Sequence, residues 1–593
     1  MIQAFDVWAP RPTDVALHID GTDHPMQRDE TGWWHLVDEL PEHLLGPDVD
    51  YGYRIDGDLL PDPRSRRQPH GVHGLSRTFD PGAHDWGDHD WTGRQLAGAV
   101  VYEMHIGTFT AEGTLDAAIA HLDHLVEVGI DLVEVMPVNA FNGTVGWGYD
   151  GVDWWAVHEP YGGPAAYQRF VDACHQRGLG VIQDVVYNHF GPSGNYLPRF
   201  GPYLNDDVQT TWGSAVNLDG EGSDEVRRYI LENARGWFLD FHVDGLRLDA
   251  VHALVDRTAF HILEELAAET EATSTFVGRP LCLIAESDLN DPRLIASPET
   301  GGYGLTAQWS DDFHHALVAN LTGSGDGYYA DFLGLDALAK VLEYGFFHDG
   351  TESSFRGRRH GRRLDTPVTP TWRLVVFSGN HDQIGNRADG SRLSSRVSTN
   401  QLVIAAMLTL LSGPTPMVFQ GEEWGAATPF AFFSSHPEPD LAASVTAGRV
   451  DEFARMDWDP GSVLDPQAPT THEVSRLNWD EPAHAPHAAV LEAYRRLIAL
   501  RRSHPDLTDP RFSSVQVDHD DEQQWLHVQR GEQMSLVANF GAEDCRVPLG
   551  GDCEVLFSSG EVVVTEGVAA LGAHAGAVLR VVRADEARTT LSG

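Results

Sequence analysis

From residue 100 onward, short apolar runs alternate with longer segments in which apolar residues recur every three or four positions. Short runs bounded by polar residues read as buried parallel strands, and the longer segments as amphipathic helices, which together are the signature of βαβ units. The runs are Val100–Met104, Leu132–Met136, Gly180–Val186, Val243–Leu248, Leu281–Ala285, Leu305–Trp309, Leu374–Ser378 and Met417–Gln420. Eight of them over about 400 residues predict a (β/α)8 barrel with insertions, of the α/β class. Among the connecting helices, Leu115–Val128 has helical spacing and is followed by Gly129 as a C-terminal stop. Glu225–Phe241 precedes the fourth strand, and His487–Arg502 is a last amphipathic helix.

The flanks carry a different pattern. Residues 1–92 read as short strands and turns, such as Ala16-Leu17-His18-Ile19 and Trp33-Trp34-His35-Leu36-Val37, closed by the polar stretch Gly82 to Gly93. After Pro505, alternating segments such as Trp525-Leu526-His527-Val528 and Ser535-Leu536-Val537-Ala538 predict an antiparallel β domain over 505–593. The barrel then occupies 93–504. Within it, Phe190 to Gly222 is rich in Gly, Pro, Asn and Asp and too long for an ordinary loop. It reads as an insertion after the third strand, the place for one wall of an active site.

Composition changes this picture little. A chain of 593 residues exceeds one core and predicts two to four domains, with ordinary apolar (42%) and charged (22%) contents. Sixteen Trp, fifteen Tyr and twenty-five Phe supply flat apolar faces that suit sugar rings, although most must be core. The net charge of −47 argues against nucleic acid and anionic membranes as partners. No apolar run is long enough to span a membrane. Met1-Ile2-Gln3-Ala4-Phe5-Asp6 lacks the basic start and apolar core of a secretory leader, so the chain is expected in the cytoplasm. The cysteines Cys174, Cys282, Cys545 and Cys553 have no metal-like spacing. Cys545 and Cys553 are candidate neighbours on a hairpin, but free thiols are the expectation in a cytosolic protein.

Chemistry enters at the strand ends, because barrels of this kind build active sites at the C-terminal ends of their strands. The third strand runs into Asp184-Val185-Val186-Tyr187-Asn188-His189, and the fourth ends on Arg247 and Asp249. The fifth ends on Glu286 and the seventh on Asn380-His381-Asp382. Any one of these has an ordinary reading as a cap or an ion pair; four together direct carboxylates and histidines into one cavity. Arg247, two positions before Asp249, favours its ionised form and so a nucleophile. Glu286 leaves an apolar strand, where a desolvated carboxyl has a raised pKa and donates a proton. Asp382 is placed to accept hydroxyl hydrogen bonds and offset charge on an oxocarbenium-like transition state, with His189 and His381 bonding neighbouring hydroxyls. Two carboxyls about 5 Å apart serve retaining glycoside cleavage.

The segments Asp184–His189, Gly245–His252, Ala285-Glu286-Ser287 and Ser378–Asp382 resemble the four sequence regions of the α-amylase superfamily. The resemblance implies retaining α-glucoside chemistry, with Asp249 as nucleophile, Glu286 as acid/base and Asp382 as transition-state stabiliser. It also implies that Asp184, Arg247, His189 and His381 surround the scissile glucose. Gly146-Trp147-Gly148-Tyr149-Asp150 resembles the loop whose tyrosine stacks on that glucose, which gives Tyr149 this role.

Longer stretches narrow the resemblance. Tyr102–Thr110 with Glu112-Gly113-Thr114 is similar to the first barrel strand of branching enzymes, debranching enzymes and maltooligosyltrehalose trehalohydrolases. Asp62–Gly74, Trp309–His315, His381–Arg387 and Gly421–Trp424 resemble the trehalohydrolases in particular. This similarity spans essentially the whole chain. It implies a carbohydrate-module-like β-sandwich before the barrel, and hydrolysis of the α-1,4 bond joining trehalose to a maltooligosaccharide. Asp311, Asp312, Phe313, His314 and His315, joined by His252, Gln383 and Asn386, are implied on the trehalose side. Their plain structural reading is ion pairing for the two aspartates and helix packing for the histidines. The functional partner implied is the maltooligosyltrehalose synthase that makes the capped substrate. No cofactor is expected, and no metal, because the calcium ligands of secreted α-amylases are not evident. Two departures, Gln183 before Asp184 and Ser287 after Glu286, lie outside the chemistry. The alternatives are a glycogen branching or debranching enzyme, and an α-glucan-binding protein without turnover; the intact Asp249, Glu286 and Asp382 set argues against the latter.

Overall fold

The computed structural model describes residues 5–455 and 463–582; Met1–Ala4 and residues 583–593, at the outer ends of the expected flanking domains, lie outside the described residues. At its centre, β1 (Val101–Met104), β2 (Leu132–Val135), β3 (Gly180–Val185), β4 (Gly245–Leu248), β5 (Cys282–Ala285), β6 (Ala307–Trp309), β7 (Leu374–Val376) and β8 (Thr415–Phe419) close into a barrel. Neighbouring strands are parallel all the way round, including β8 to β1. Each strand overlaps the apolar run that predicted it.

The period of two along each strand divides the barrel's interior. Val101, Leu132, Ile182, Ile284, Ala307, Val375 and Met417 form one apolar cluster within it. Two residues further along β1 to β6 stand Glu103, Glu134, Asp184, Arg247, Glu286 and Trp309, so the same register that fills the floor with hydrocarbon delivers polar groups to the C-terminal mouth. Alternate residues such as Leu246, Leu248, Leu283 and Val185 join the larger core under the helices. Gln183 follows that rule: it faces outward and accepts a hydrogen bond from the Tyr167 hydroxyl at 2.6 Å. At Gly245 a Cβ would stand 2.3 Å from the Cys282 sulfur, so only glycine lets β4 and β5 approach.

The opposite end of the barrel is tied down by Asp244. This fully buried carboxylate accepts hydrogen bonds from Trp91 Nε1 (2.8 Å), Arg279 Nη1 (2.6 Å) and the Val181 amide (2.9 Å), and faces His175 Nε2 at 3.0 Å. Trp91 belongs to the polar linker, which is therefore anchored to the barrel rather than free.

Before the barrel lies a seven-stranded antiparallel sheet domain. In it Thr22–Arg28 changes partner midway: Thr22 to Pro25 pair with Val15–Ile19, and Met26 to Arg28 with Trp33–Leu36. After it come a five-stranded and a three-stranded antiparallel sheet. Cys545 and Cys553 stand on different sheets there, and all four cysteines are free. Among the described residues no helix is long and apolar enough to cross a membrane.

One local expectation needs correction, and another gains detail. The single helix expected over Leu115–Val128 is two, Leu115–Ile119 and Leu122–Val128, with the break at His121, whose ring stacks on Trp479 at 3.9 Å. Tertiary packing overrides helical spacing there, while Gly129 ends the second helix at φ 104° as its sequence position suggests. The insertion after β3 holds a short helix, Leu197–Phe200, and a hairpin of Leu204–Thr210 and Gly213–Val216.

Candidate active site

Arg247 organises the mouth of the barrel. Its side chain is fully buried, and Nη1 donates to Asp249 Oδ1 at 2.7 Å and to both Asp184 oxygens at 3.0 and 3.1 Å. The guanidinium lies 4.3 Å from the Trp309 ring centroid, a face that stabilises a buried cation. Burial pushes the Asp184 carboxyl up to about 7 in spite of Arg247. Asp249 receives a second donor, Asn188 Nδ2, at 2.7 Å on Oδ2, and the same amide reaches the Asp249 backbone oxygen at 2.9 Å. Both carboxylate oxygens are thus oriented from below.

Glu286 is treated differently. It stands 3.9 Å from Arg247 Nη2, beyond a direct hydrogen bond. Burial, with the carboxylates of Asp249, Asp382 and Asp311 outweighing what Arg247 contributes, pushes its carboxyl up to about 8. The backbone between the two acids is itself bent to serve them. Ala250 has φ 39° and ψ 52°, a left-handed conformation costly for a residue with a Cβ, and its N–H donates to Glu286 Oε2. The Val251 amide bonds the Glu286 backbone oxygen at 3.1 Å, locking strand ends β4 and β5 together.

The third group enters from β7. Asp382 lies in the first turn of a short helix, His381–Gly385, capped by the Asn380 side chain, and its carboxylate is 42% exposed. Next to it His381 is buried, with Nδ1 bonded to Glu103 and Nε2 2.9 Å from the Tyr149 hydroxyl. Tyr149 donates to Asp184 Oδ2 at 2.7 Å, and its ring stacks on that of His381. Burial opposes the His381 cation, but Glu103 and Asp382 overcome it and hold the ring up at about 9.

Asp184, Arg247, Asp249, Glu286, His381, Asp382 and Tyr149 therefore meet in one place, as the strand ends suggested. His189 borders them, but both its ring nitrogens already face protein oxygens, Tyr149 O at 3.0 Å and Asn188 Oδ1 at 2.5 Å. Exposed His252 follows on the turn after Asp249. Gln383 donates to Asp311 Oδ1 at 3.3 Å, and burial with the neighbouring carboxylates of Asp288, Asp382 and Asp312 pushes Asp311 up to about 7. Exposed Asn386 donates to Asp382 Oδ1 at 3.3 Å and accepts from Arg449 at 3.0 Å.

Four residues of the 311–315 run turn elsewhere. These positions open the helix Asp311–Thr322, and consecutive helical residues fan out around the axis, so they cannot all face one cavity. Phe313, 1% exposed, packs in the hydrophobic core. His314 is bonded to Ser378 O at 2.8 Å and the Tyr329 hydroxyl at 2.9 Å, and burial lowers its pKa well below the ordinary value. Asp312 Oδ2 accepts from Asn290 and from the amides of Phe347 and His348 at 2.7 to 3.0 Å, which fixes a loop. His315 is half-buried among Tyr328, Tyr329 and Phe332, and burial pulls it down to about 3.

Sequence reasoning missed four contributors. Asn188 and Trp309 lay inside quoted motifs without a role. Glu103 carried a signal, a lone carboxylate within the apolar Val100–Met104 run. Trp212, at the tip of the insertion hairpin, is 45% exposed and stacks over His189 at 5.4 Å with 11° between the rings; nothing in its polar surroundings marked it.

Comparison with known proteins gives the chain its relatives. The model of the alpha amylase catalytic domain matches residues 77–201, and that of a domain of unknown function matches 510–578. A malto-oligosyltrehalose trehalohydrolase of Arthrobacter ramosus is 61% identical over 509 residues, covering 85% of this chain and 88% of the relative. Its namesake from a Rhizobium strain is 56% identical over 572 residues, 95% of each chain. A crystal structure of a Salmonella typhimurium protein assigned to the alpha amylases superposes with a TM-score of 0.87 at 37% identity, covering 97% of both chains.

Proposed function

The chain belongs to the malto-oligosyltrehalose trehalohydrolases and is a glycoside hydrolase of the α-amylase family; from that premise we propose that it hydrolyses the α-1,4 bond between trehalose and a maltooligosaccharide by a retaining double displacement. In this reading Asp249 attacks the anomeric carbon of the glucose preceding trehalose, while Glu286 protonates the glycosidic oxygen and trehalose leaves. Glu286, now ionised, removes a proton from water, which attacks the same carbon, frees Asp249 and restores the acid. Asp382 bonds the hydroxyls of the distorted ring, whose positive charge is greatest at the transition state. Tyr149 provides the ring against which that glucose packs, and Arg247 fixes Asp184 and Asp249. Asp311, Gln383, Asn386 and His252 are the candidates for contact with trehalose. The synthase that caps maltooligosaccharides with trehalose is the functional partner this reaction requires.

The observation that carries the reading is the asymmetry between two carboxyls beside one guanidinium. Asp249 accepts direct bonds from Arg247 and Asn188, as an anion should. Glu286 stands away from Arg247 and is pushed up to about 8, as an acid working near neutrality should be.

The test is product analysis. Trehalose released from a trehalose-capped maltooligosaccharide, with slow attack on maltopentaose, is the expected result. Branched or lengthened chains would instead indicate a transferase, and no change in either substrate a binding protein. Asp249→Asn and Glu286→Gln should each cut turnover by roughly 10²-fold or more while glucan binding persists. Near-normal rates in either variant would remove it from its role.

A further inference from the structure

We propose that Glu103 is a positioning residue of this site, fixing His381 as a doubly protonated imidazolium between Tyr149 and Asp382. The proposal rests on the hydrolase reading above for its consequence in turnover, but its geometry stands alone.

Glu103 is an interior residue of β1, 1% exposed. One of its oxygens faces His381 Nδ1, and the other accepts the His381 backbone N–H at 3.1 Å. A single carboxylate thus grips the side chain and main chain of one residue across the barrel, which sets both ring orientation and depth. The remaining nitrogen, Nε2, lies 2.9 Å from the Tyr149 hydroxyl oxygen. Tyrosine has one proton to donate, and its other partner is Asp184 Oδ2 at 2.7 Å. Both Asp184 oxygens already accept from Arg247, which marks Asp184 as the acceptor in that contact. Tyr149 therefore gives its proton to Asp184 and offers a lone pair to His381. Nε2 must then carry a hydrogen, and so must Nδ1 where it faces Glu103. With two donors and no acceptor, the ring is a cation.

The neighbouring groups support that charge. On β1 and just after it, Glu103 attracts, and His105 is pulled down to about 3 by burial and so is neutral. On β2, Glu134 is buried, and burial pushes its carboxyl well above its ordinary range. From β3 Asp184 attracts, from β4 Arg247 repels, and on its own helix Asp382 attracts, with Oδ1 3.6 Å from Nε2. The balance holds His381 up at about 9 despite burial. The result is a fixed cation under the glucose site, aligned with the carboxylate that faces the reacting ring. Without Glu103 the ring would lose its largest source of attraction and its anchor together.

The substitution Glu103→Gln keeps size and one acceptor but removes the charge. It should move the alkaline limb of kcat/KM toward acid by about one pH unit or more, so that activity is lost near pH 8 and largely recovered near pH 6. KM should change less than kcat. In the wild-type enzyme, nitrogen-15 histidine NMR should show both His381 ring nitrogens protonated at neutral pH, with the resonance assigned by its absence in His381→Gln. In Glu103→Gln the same ring should become neutral. A loss of activity by one constant factor at every pH would mean that Glu103 only supports the fold, and a neutral His381 in the wild type would overturn the proposal outright. The spectrum needs no substrate. A protein that releases no trehalose but shows the imidazolium would therefore refute the hydrolase reading and leave this inference standing.

Discussion

At the scale of the residue, the site works by giving two chemically similar acids different surroundings. Asp249 has two strong donors, and Glu286 has none from a side chain at hydrogen-bond distance. Glu286 is also buried and faces three other carboxylates, so its proton is retained to about 8. As the proposed general acid it must be protonated to act. Activity should therefore hold just below that value and fall about tenfold per unit above it. The check is kcat/KM against pH for the capped substrate; a limb falling already near pH 5 would mean that Glu286 is an ordinary carboxylate. The identity of these acids was legible because strand register is a period of two: Arg247 and Asp249 face the same way, and so do Ile284 and Glu286. Their supports were not legible. Asn188 holds Asp249 from another strand's end, and Ala250's left-handed turn is a backbone property that no residue type announces.

At the scale of the element, strands betray direction in sequence and helices at strand ends do not. The run Asp311-Asp312-Phe313-His314-His315 suggested five residues acting together, but the helix starting at Asp311 separates them, sending Phe313 and His314 into the protein. The insertion after β3 shows the converse. Its composition announced a wall, yet only the fold shows that the hairpin carries Trp212 over His189, with His252 6.5 Å away. An exposed indole beside a sugar cavity acts through stacking, which is made in the ground state and the transition state alike. Trp212→Ala should therefore raise KM for the capped oligosaccharide by roughly 2- to 12-fold, equivalent to about 0.5–1.5 kcal/mol, and leave kcat nearly unchanged. Steady-state kinetics decide this, and an unaltered KM would remove Trp212 from the substrate's path.

At the scale of the whole molecule, the order sheet domain, barrel, sheet domain follows from the pattern of the chain, but the way the parts are fastened does not. Asp88, Trp91, His175, Asp244 and Arg279 share no motif, and only folding brings them together below the barrel, away from the catalytic mouth. Asp244 there compensates Arg279 and His175 in a fully buried setting. Removing one partner of such a cluster leaves charge without compensation, so Asp244→Ala should cost about 3–5 kcal/mol of stability while the folded fraction keeps its activity. The cluster also makes a pH signature. Burial opposes the His175 cation, but Asp244 and Asp88 outweigh it and raise its pKa above 6.5. The stabilisation is then complete below 6.5 and is lost as pH rises through the raised folded value. Asp88 is shifted the other way: burial raises its pKa, but His175 and His242 overcome that and hold it below 3.8. Its stabilisation is complete above 3.8 and is lost on acidification through the lowered folded value. Thermal unfolding followed across pH should therefore show Tm declining above about 6.5 in the wild type and declining less in Asp244→Ala, because the group that raised His175 is gone. Parallel curves for the two proteins would show that His175 gains its charge from elsewhere, and that the linker is held by Trp91 and Arg279 without it.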